Sequence, residues 1–149
     1  MKAVVGLAIF LCLWLSSCNS EPSLQKYFVE NTENKNFIAL DISSSILNVD
    51  KTKLSLEQQQ ALQSFEKINI LAFKRNPNNT AEFETERAKL NGILKNPKYQ
   101  QLMKIGSGKE GASVSFVGAD EHIEEFVLFA NQKETGFAVV RVLGKDMNS

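Results

Sequence analysis

After an opening run of thirteen uncharged, mostly apolar residues from Ala3 to Leu15, hydrophobic positions along the chain become periodic. Leu24, Tyr27 and Phe28 recur at helical spacing and predict a short first helix whose apolar face docks on a core. Phe37-Ile38-Ala39-Leu40-Asp41-Ile42 reads as a strand ending at the triple serine Ser43-Ser44-Ser45. Ser55 followed by Gln58 fits a capping box, which opens a helix with Ala61, Leu62 and Phe65 on its buried side. Ile68 to Phe73 then predicts a second strand, apolar enough for the middle of a sheet.

Arg75-Asn76-Pro77-Asn78-Asn79-Thr80 is a turn by composition, and Asn79 or Thr80 is placed to cap a helix beginning near Ala81. Phe83, Arg87, Leu90 and Leu94, broadened by Ile93, give that helix an apolar stripe, and Glu82 and Glu84 suit the positive end of its dipole. Asn96-Pro97 predicts its end and the start of another helical piece anchored by Tyr99, Leu102 and Met103. Three strands follow at Ser113–Val117, Glu125–Ala130 and Phe137–Leu143. They are separated by the hairpin signals Gly118-Ala119-Asp120-Glu121 and Lys133-Glu134-Thr135-Gly136.

Strand, helix and strand in succession usually form a right-handed parallel crossover. The expected architecture is therefore α+β: a mixed sheet of about five strands, with a βαβ unit followed by an antiparallel three-strand meander and helices mainly on one face. No internal repeat or low-complexity tract interrupts it.

The opening run changes this picture only at its end. One positive charge at Lys2 and an apolar core too short for a stable bilayer span, which needs about 20 residues, fit a signal peptide. Leu15-Ser16-Ser17-Cys18 resembles the lipobox of bacterial lipoproteins. The resemblance implies that the Cys18 sulfur receives diacylglycerol, that a peptidase cuts after Ser17, and that Cys18 becomes an acylated first residue. The expected organisation is a signal peptide over 1–17, a lipidated tether over 18–22 and a single α+β domain over 23–149. An extended tether of that length reaches roughly 17 Å, which keeps the domain near the lipid headgroups.

Composition narrows the chemistry. Cys12 falls inside the discarded segment and Cys18 becomes a thioether, so the processed domain is expected to hold no thiol for a disulfide, a nucleophile or a zinc site. Loss of Lys2 leaves 16 basic residues against 17 acidic ones, interspersed along the chain, and no basic stripe suggests nucleic acid.

Gly106-Ser107-Gly108-Lys109-Glu110-Gly111 invites comparison with a phosphate loop, but Met103 stands where the first glycine is needed and Glu110 where Ser or Thr would bind magnesium. The segment also precedes a strand instead of following one, so it reads as a loop. His122, the one histidine, lies in the acidic segment Asp120 to Glu125, where successive residues point to opposite faces. A solvated acidic loop is the expected state, with no metal or other cofactor. No Gly-x-Ser-x-Gly elbow is present for a serine nucleophile.

The order of elements, Asn96-Pro97-Lys98-Tyr99-Gln100-Gln101-Leu102-Met103-Lys104-Ile105 entering a strand, and Gly136-Phe137-Ala138-Val139-Val140-Arg141-Val142-Leu143-Gly144-Lys145-Asp146-Met147 together resemble domain of unknown function family 4252. This is a family of small lipoproteins of Gram-negative bacteria. The resemblance implies an envelope protein with no assigned activity and no functional residues to transfer. Asn19, in the position that sorts lipoproteins, favours the outer membrane. The expected function is a non-catalytic binding or envelope-maintenance module held to the membrane through lipid on Cys18, with an envelope protein as partner. The alternatives are an envelope hydrolase using paired carboxylates and a membrane-proximal sensor.

Overall fold

The structure, a computed structural model, describes residues 21–107, 110–119 and 122–147. Cys18, the signal-like run and the loop residues Gly108, Lys109, Asp120 and Glu121 lie outside that set. Among the described residues, no helix is long and apolar enough to cross a membrane.

The chain begins with α1 (Leu24–Asn31), which Ser23 caps by accepting a hydrogen bond from the Lys26 amide. It continues through β1 (Phe37–Ser43), two 3-10 turns (Ser44–Ile46 and Lys51–Lys53), α2 (Leu56–Ser64) and β2 (Phe65–Lys74). Then come α3 (Thr80–Leu94), β3 (Gln100–Ser107), β4 (Glu110–Ala119), β5 (His122–Gln132) and β6 (Gly136–Met147). The strands form one open six-stranded sheet in the order β1-β2-β6-β5-β4-β3. Every neighbouring pair is antiparallel.

The α+β class and the placing of the main helices on one face match the expectation; the topology corrects it. The sheet is antiparallel, not mixed, and it has six strands, not about five. No βαβ unit forms, because β1 and β2 are hydrogen-bonded antiparallel neighbours. A crossover helix must bury an apolar stripe against the sheet, and α2, with the sequence LEQQQALQS, buries no residue at all. Its capping box is present, with Ser55 Oγ accepting from the Gln58 amide and Gln58 Oε1 from the Ser55 amide. Yet Ala61 is exposed and Leu62 only half-buried, and α2 runs directly into β2.

The helical piece expected around Tyr99, Leu102 and Met103 is instead the edge strand β3. It pairs with β4 around a bulge between Gln101 and Met103. All of its residues are exposed, so burial imposes no alternation on them and their spacing is ambiguous in sequence.

The core lies between one sheet face and the pair α1 and α3. Leu24, Tyr27 and Phe28 of α1 and Phe83, Leu90 and Ile93 of α3 pack on strand residues including Leu71, Phe73, Val127 and Val139. Phe37, Phe73 and Phe137 form its aromatic centre, with Phe37 edge-on to Phe73 at 5.0 Å and Phe73 stacked on Phe137 at 5.4 Å. Each such side chain contributes about 1.5–3 kcal/mol by leaving water.

Polar contacts fix how α3 enters this layer. Asn36 Nδ2 donates to Glu82 Oε2 at 2.6 Å, and Asn79 Nδ2 donates to the Lys74 carbonyl at 3.0 Å. Asn79 does occupy the N-cap position, but its side chain makes no cap bond and ties the turn together instead.

Candidate functional site

Side chains alternate between the faces of a strand, and directly paired residues share a face. The registers therefore define the sheet's second face, the one away from α1 and α3, as three rows running across all six strands. The first row is Ile38, Ala72, Ala138, Ala130, Ala112 and Ile105, in sheet order. The second is Leu40, Ile70, Val140, Leu128, Val114 and Met103. The third is Ile42, Ile68, Val142, Phe126, Phe116 and Gln100.

Gln100 is the single polar residue in this grid, and none of the grid residues is buried. Ile38 and Ile105, at the two edges, are 62% and 63% exposed, and Leu128 near the middle is 41% exposed. The alanine row is low and the third row bulky, so the surface is stepped. Along the alanines runs an open trough of about 650 Å³ whose polar margin includes Lys74, Glu110 and Gln132. Beyond the third row stands α2, separated from Ile68, Phe126 and Val142 by an open space of about 930 Å³. Glu66 and Lys145, paired at 3.6 Å, mark that polar margin.

A contiguous apolar surface of this extent is uncommon on a soluble monomer and is a candidate interaction surface. Its cause is visible in the strands. Both residue parities of β1, β2, β5 and β6 are rich in apolar side chains, a pattern suited to sheets covered on both sides. Of the described helices, α1 and α3 pack on the first side, and on the second only the polar α2 stands, at the end of the third row.

The candidate chemistry from sequence falls elsewhere. Ser43 and Ser45 hydrogen-bond each other at 2.9 Å, and Ser43 caps the first 3-10 turn. Gly106 and Gly111 face each other across the β3–β4 hairpin at φ +87° and +146°, where a Cβ on Gly106 would lie 2.5 Å from the Glu110 carbonyl oxygen. Gly106 and Gly111 thus answer to backbone geometry. His122 Nδ1 lies 2.7 Å from Asp146 Oδ1, both side chains well exposed. The described residues contain no group of three or more potential metal ligands.

Two polar clusters that the sequence did not reveal sit on the helix-covered face. Arg141 Nε donates to Glu125 Oε1 at 2.6 Å, with both side chains nearly buried and the guanidinium 5.5 Å from the Phe28 ring. Glu86 lies buried beneath α3, where Lys89 donates to it at 2.6 Å. Tyr27 Oη and Glu86 Oε2 are both buried without a formed hydrogen bond. Burial first, then the nearby Glu86 carboxylate, pushes the Tyr27 hydroxyl far above the usual tyrosine range. The Arg141 pair ties β5 to β6 beneath Phe28 of α1, whereas the second cluster joins α1 to α3, and its Tyr27 and Lys89 line the cleft between those helices.

A further cleft of about 740 Å³ between α1 and α3 is lined by Glu21, Lys26, Glu30, Lys89 and Lys95, among others. Glu30 lies 3.8 Å from Lys26 in a surface ion pair, and such pairs contribute little.

No curated protein and no solved structure matches the chain. Residues 27–149 match the family described as Domain of unknown function (DUF4252), a span that takes in α3, all but the first residues of α1, and the whole sheet. The chain is a member of that family.

Proposed function

We propose that this protein is a non-catalytic binding module of the cell envelope, tethered by lipid on Cys18 and working through the bare face of its sheet. The observation that carries the reading is the three-row apolar grid, which the described chain leaves uncovered. Burying apolar area returns roughly 25 cal/mol per Å², so a partner that fits this face gains from contact without any catalytic apparatus. The outer membrane, favoured by Asn19, is the proposed location. The near-even charge balance does not favour nucleic acid as a partner.

A hydrolase would need two carboxylates facing one reacting atom. Glu21 and Glu30 line the cleft between α1 and α3, and Glu57 and Asp146 the space beneath α2; the binding reading is preferred because the apolar grid spans all six strands.

A photo-reactive amino acid at Leu128 in the living envelope tests the binding reading, with the same probe at exposed Val29 of α1 as the control. The expected result is a discrete adduct from position 128 alone. No adduct above the control would refute it. For the anchor, Cys18→Ser should move the protein from the membrane to the soluble fraction, and an unchanged membrane fraction would rule out lipid on Cys18.

A further inference from the structure

Building on the bare face as a binding surface, we propose that its occupant is a second copy of this chain, docked face to face about a two-fold axis lying along the middle row. Such an axis keeps each strand over its own counterpart while exchanging the first and third rows. The alanine row of each copy then lies over the bulky row of the other. Phe126 of the second copy fills the depression over Ala130, Phe116 that over Ala112, and Ile68 that over Ala72. On the four inner strands small thus meets large, as packed sheets interdigitate, while at the edges Ile38 meets Ile42 and Ile105 meets Gln100; a two-fold contact requires self-complementarity of this kind.

The margins are compatible with the same axis. On β2, Lys74 lies beyond the first row and Glu66, in the bulge between Phe65 and Lys67, beyond the third. The two-fold brings Lys74 of each copy toward the end of the other that carries Glu66, itself paired with Lys145. The contact centre holds no charge and its edge is polar, which is the usual anatomy of a protein interface.

Size decides against narrower occupants. Six strands at about 4.8 Å and three rows at about 6.8 Å cover roughly 600 Å² in plan on each copy. The pair then removes on the order of 1,200 Å² or more, within the range of stable associations. A single helix or added strand would cover one or two columns and leave the rest in water. Insertion into a bilayer would carry the open edges β1 and β3, with their unpaired backbone groups, into hydrocarbon.

The test uses the full chain in its membranes, with a photo-reactive amino acid at position 128 whose reach suits an inter-sheet gap of about 10 Å. The parent chain and the same probe at Val29 serve as controls. A product of twice the chain mass from position 128 alone is expected. Lys74→Glu and Glu66→Lys should each reduce its yield a few-fold, and the double reversal should restore it. Leu128→Lys should abolish association while leaving the melting temperature of the dissociated chain, measured after dilution in mild detergent, nearly unchanged. A photo-adduct at position 128 of some other mass, without the double-mass product, overturns the second copy and leaves the binding face standing. Absence of any adduct at that position removes both.

Discussion

Tyr27 shows how a single buried group couples this fold to pH. Its hydroxyl is displaced upward from the ordinary value of 10.0 by burial and by the Glu86 carboxylate. In the unfolded chain the group ionises above about pH 10, while in the fold it stays protonated, so the folded state holds more protons and stability falls as pH rises. The loss approaches about 1.4 kcal/mol per pH unit above 10. Tyr27→Phe should flatten that alkaline limb in a denaturant titration and cost less than about 1 kcal/mol near neutrality, since the hydroxyl makes no formed hydrogen bond there. Arg141→Ala should destabilise by about 3–5 kcal/mol by stranding buried Glu125, whereas Arg141→Met with Glu125→Leu should recover most of the loss. Neither cluster was legible in the sequence. Glu125 stood in an acidic run that looked solvated, and the helical stripe through Phe83 and Leu90 admitted Arg87 as readily as Glu86. A buried charge is recognised by its partner, here on another strand or helix, and strand order is not written in local spacing.

Elements were legible where local chemistry decides them. The helix α1, the capping box at Ser55, the strand cores of β1, β2, β4, β5 and β6, and the long helix α3 all follow from periodicity and capping. Where tertiary pairing decides, the signal failed: β3 is an edge strand with no buried residue, and α2 has too little apolar surface to make a crossover. Because α2 packs so little, Ser55→Ala should speed amide exchange in Leu56–Ser64 by weakening that helix about 1 kcal/mol, while global unfolding stays nearly unchanged. The strongest contrast lies within β5. Val127 is 1% exposed on the helix-covered side and Leu128 is 41% exposed on the bare side. Val127→Lys should unfold the chain or cost at least 3 kcal/mol by burying an unpaired charge, whereas Leu128→Lys should change stability by less than about 0.5 kcal/mol. Thermal melts of the two variants read that difference directly.

At the scale of the molecule, the sequence encodes a three-layer pattern and the described chain fills two of its layers. The run Ile68–Phe73 reads in sequence as a strand suited to a sheet interior, and β2 lies between β1 and β6, whereas Phe37–Ile42 reads only as a strand and forms an edge. What covers the second face was not legible, because periodicity reports that a residue is apolar and not whether its own chain buries it. The shortage of amphipathic helix was the available clue: α1 and α3 can cover one face, and α2 is too polar to cover the other. The open edges β1 and β3 carry their own protection, with a bulge and Lys104 on β3 and Asp41 on β1, in keeping with association through the face and not the edge. Maleimide labelling of Leu128→Cys in intact membranes, compared with the same protein diluted in mild detergent, addresses that covering most directly. Labelling should be at least tenfold slower in the membranes than after dilution, with Val29→Cys equally fast in both; an equal rate at position 128 would mean that the face stands bare in the envelope and binds nothing there.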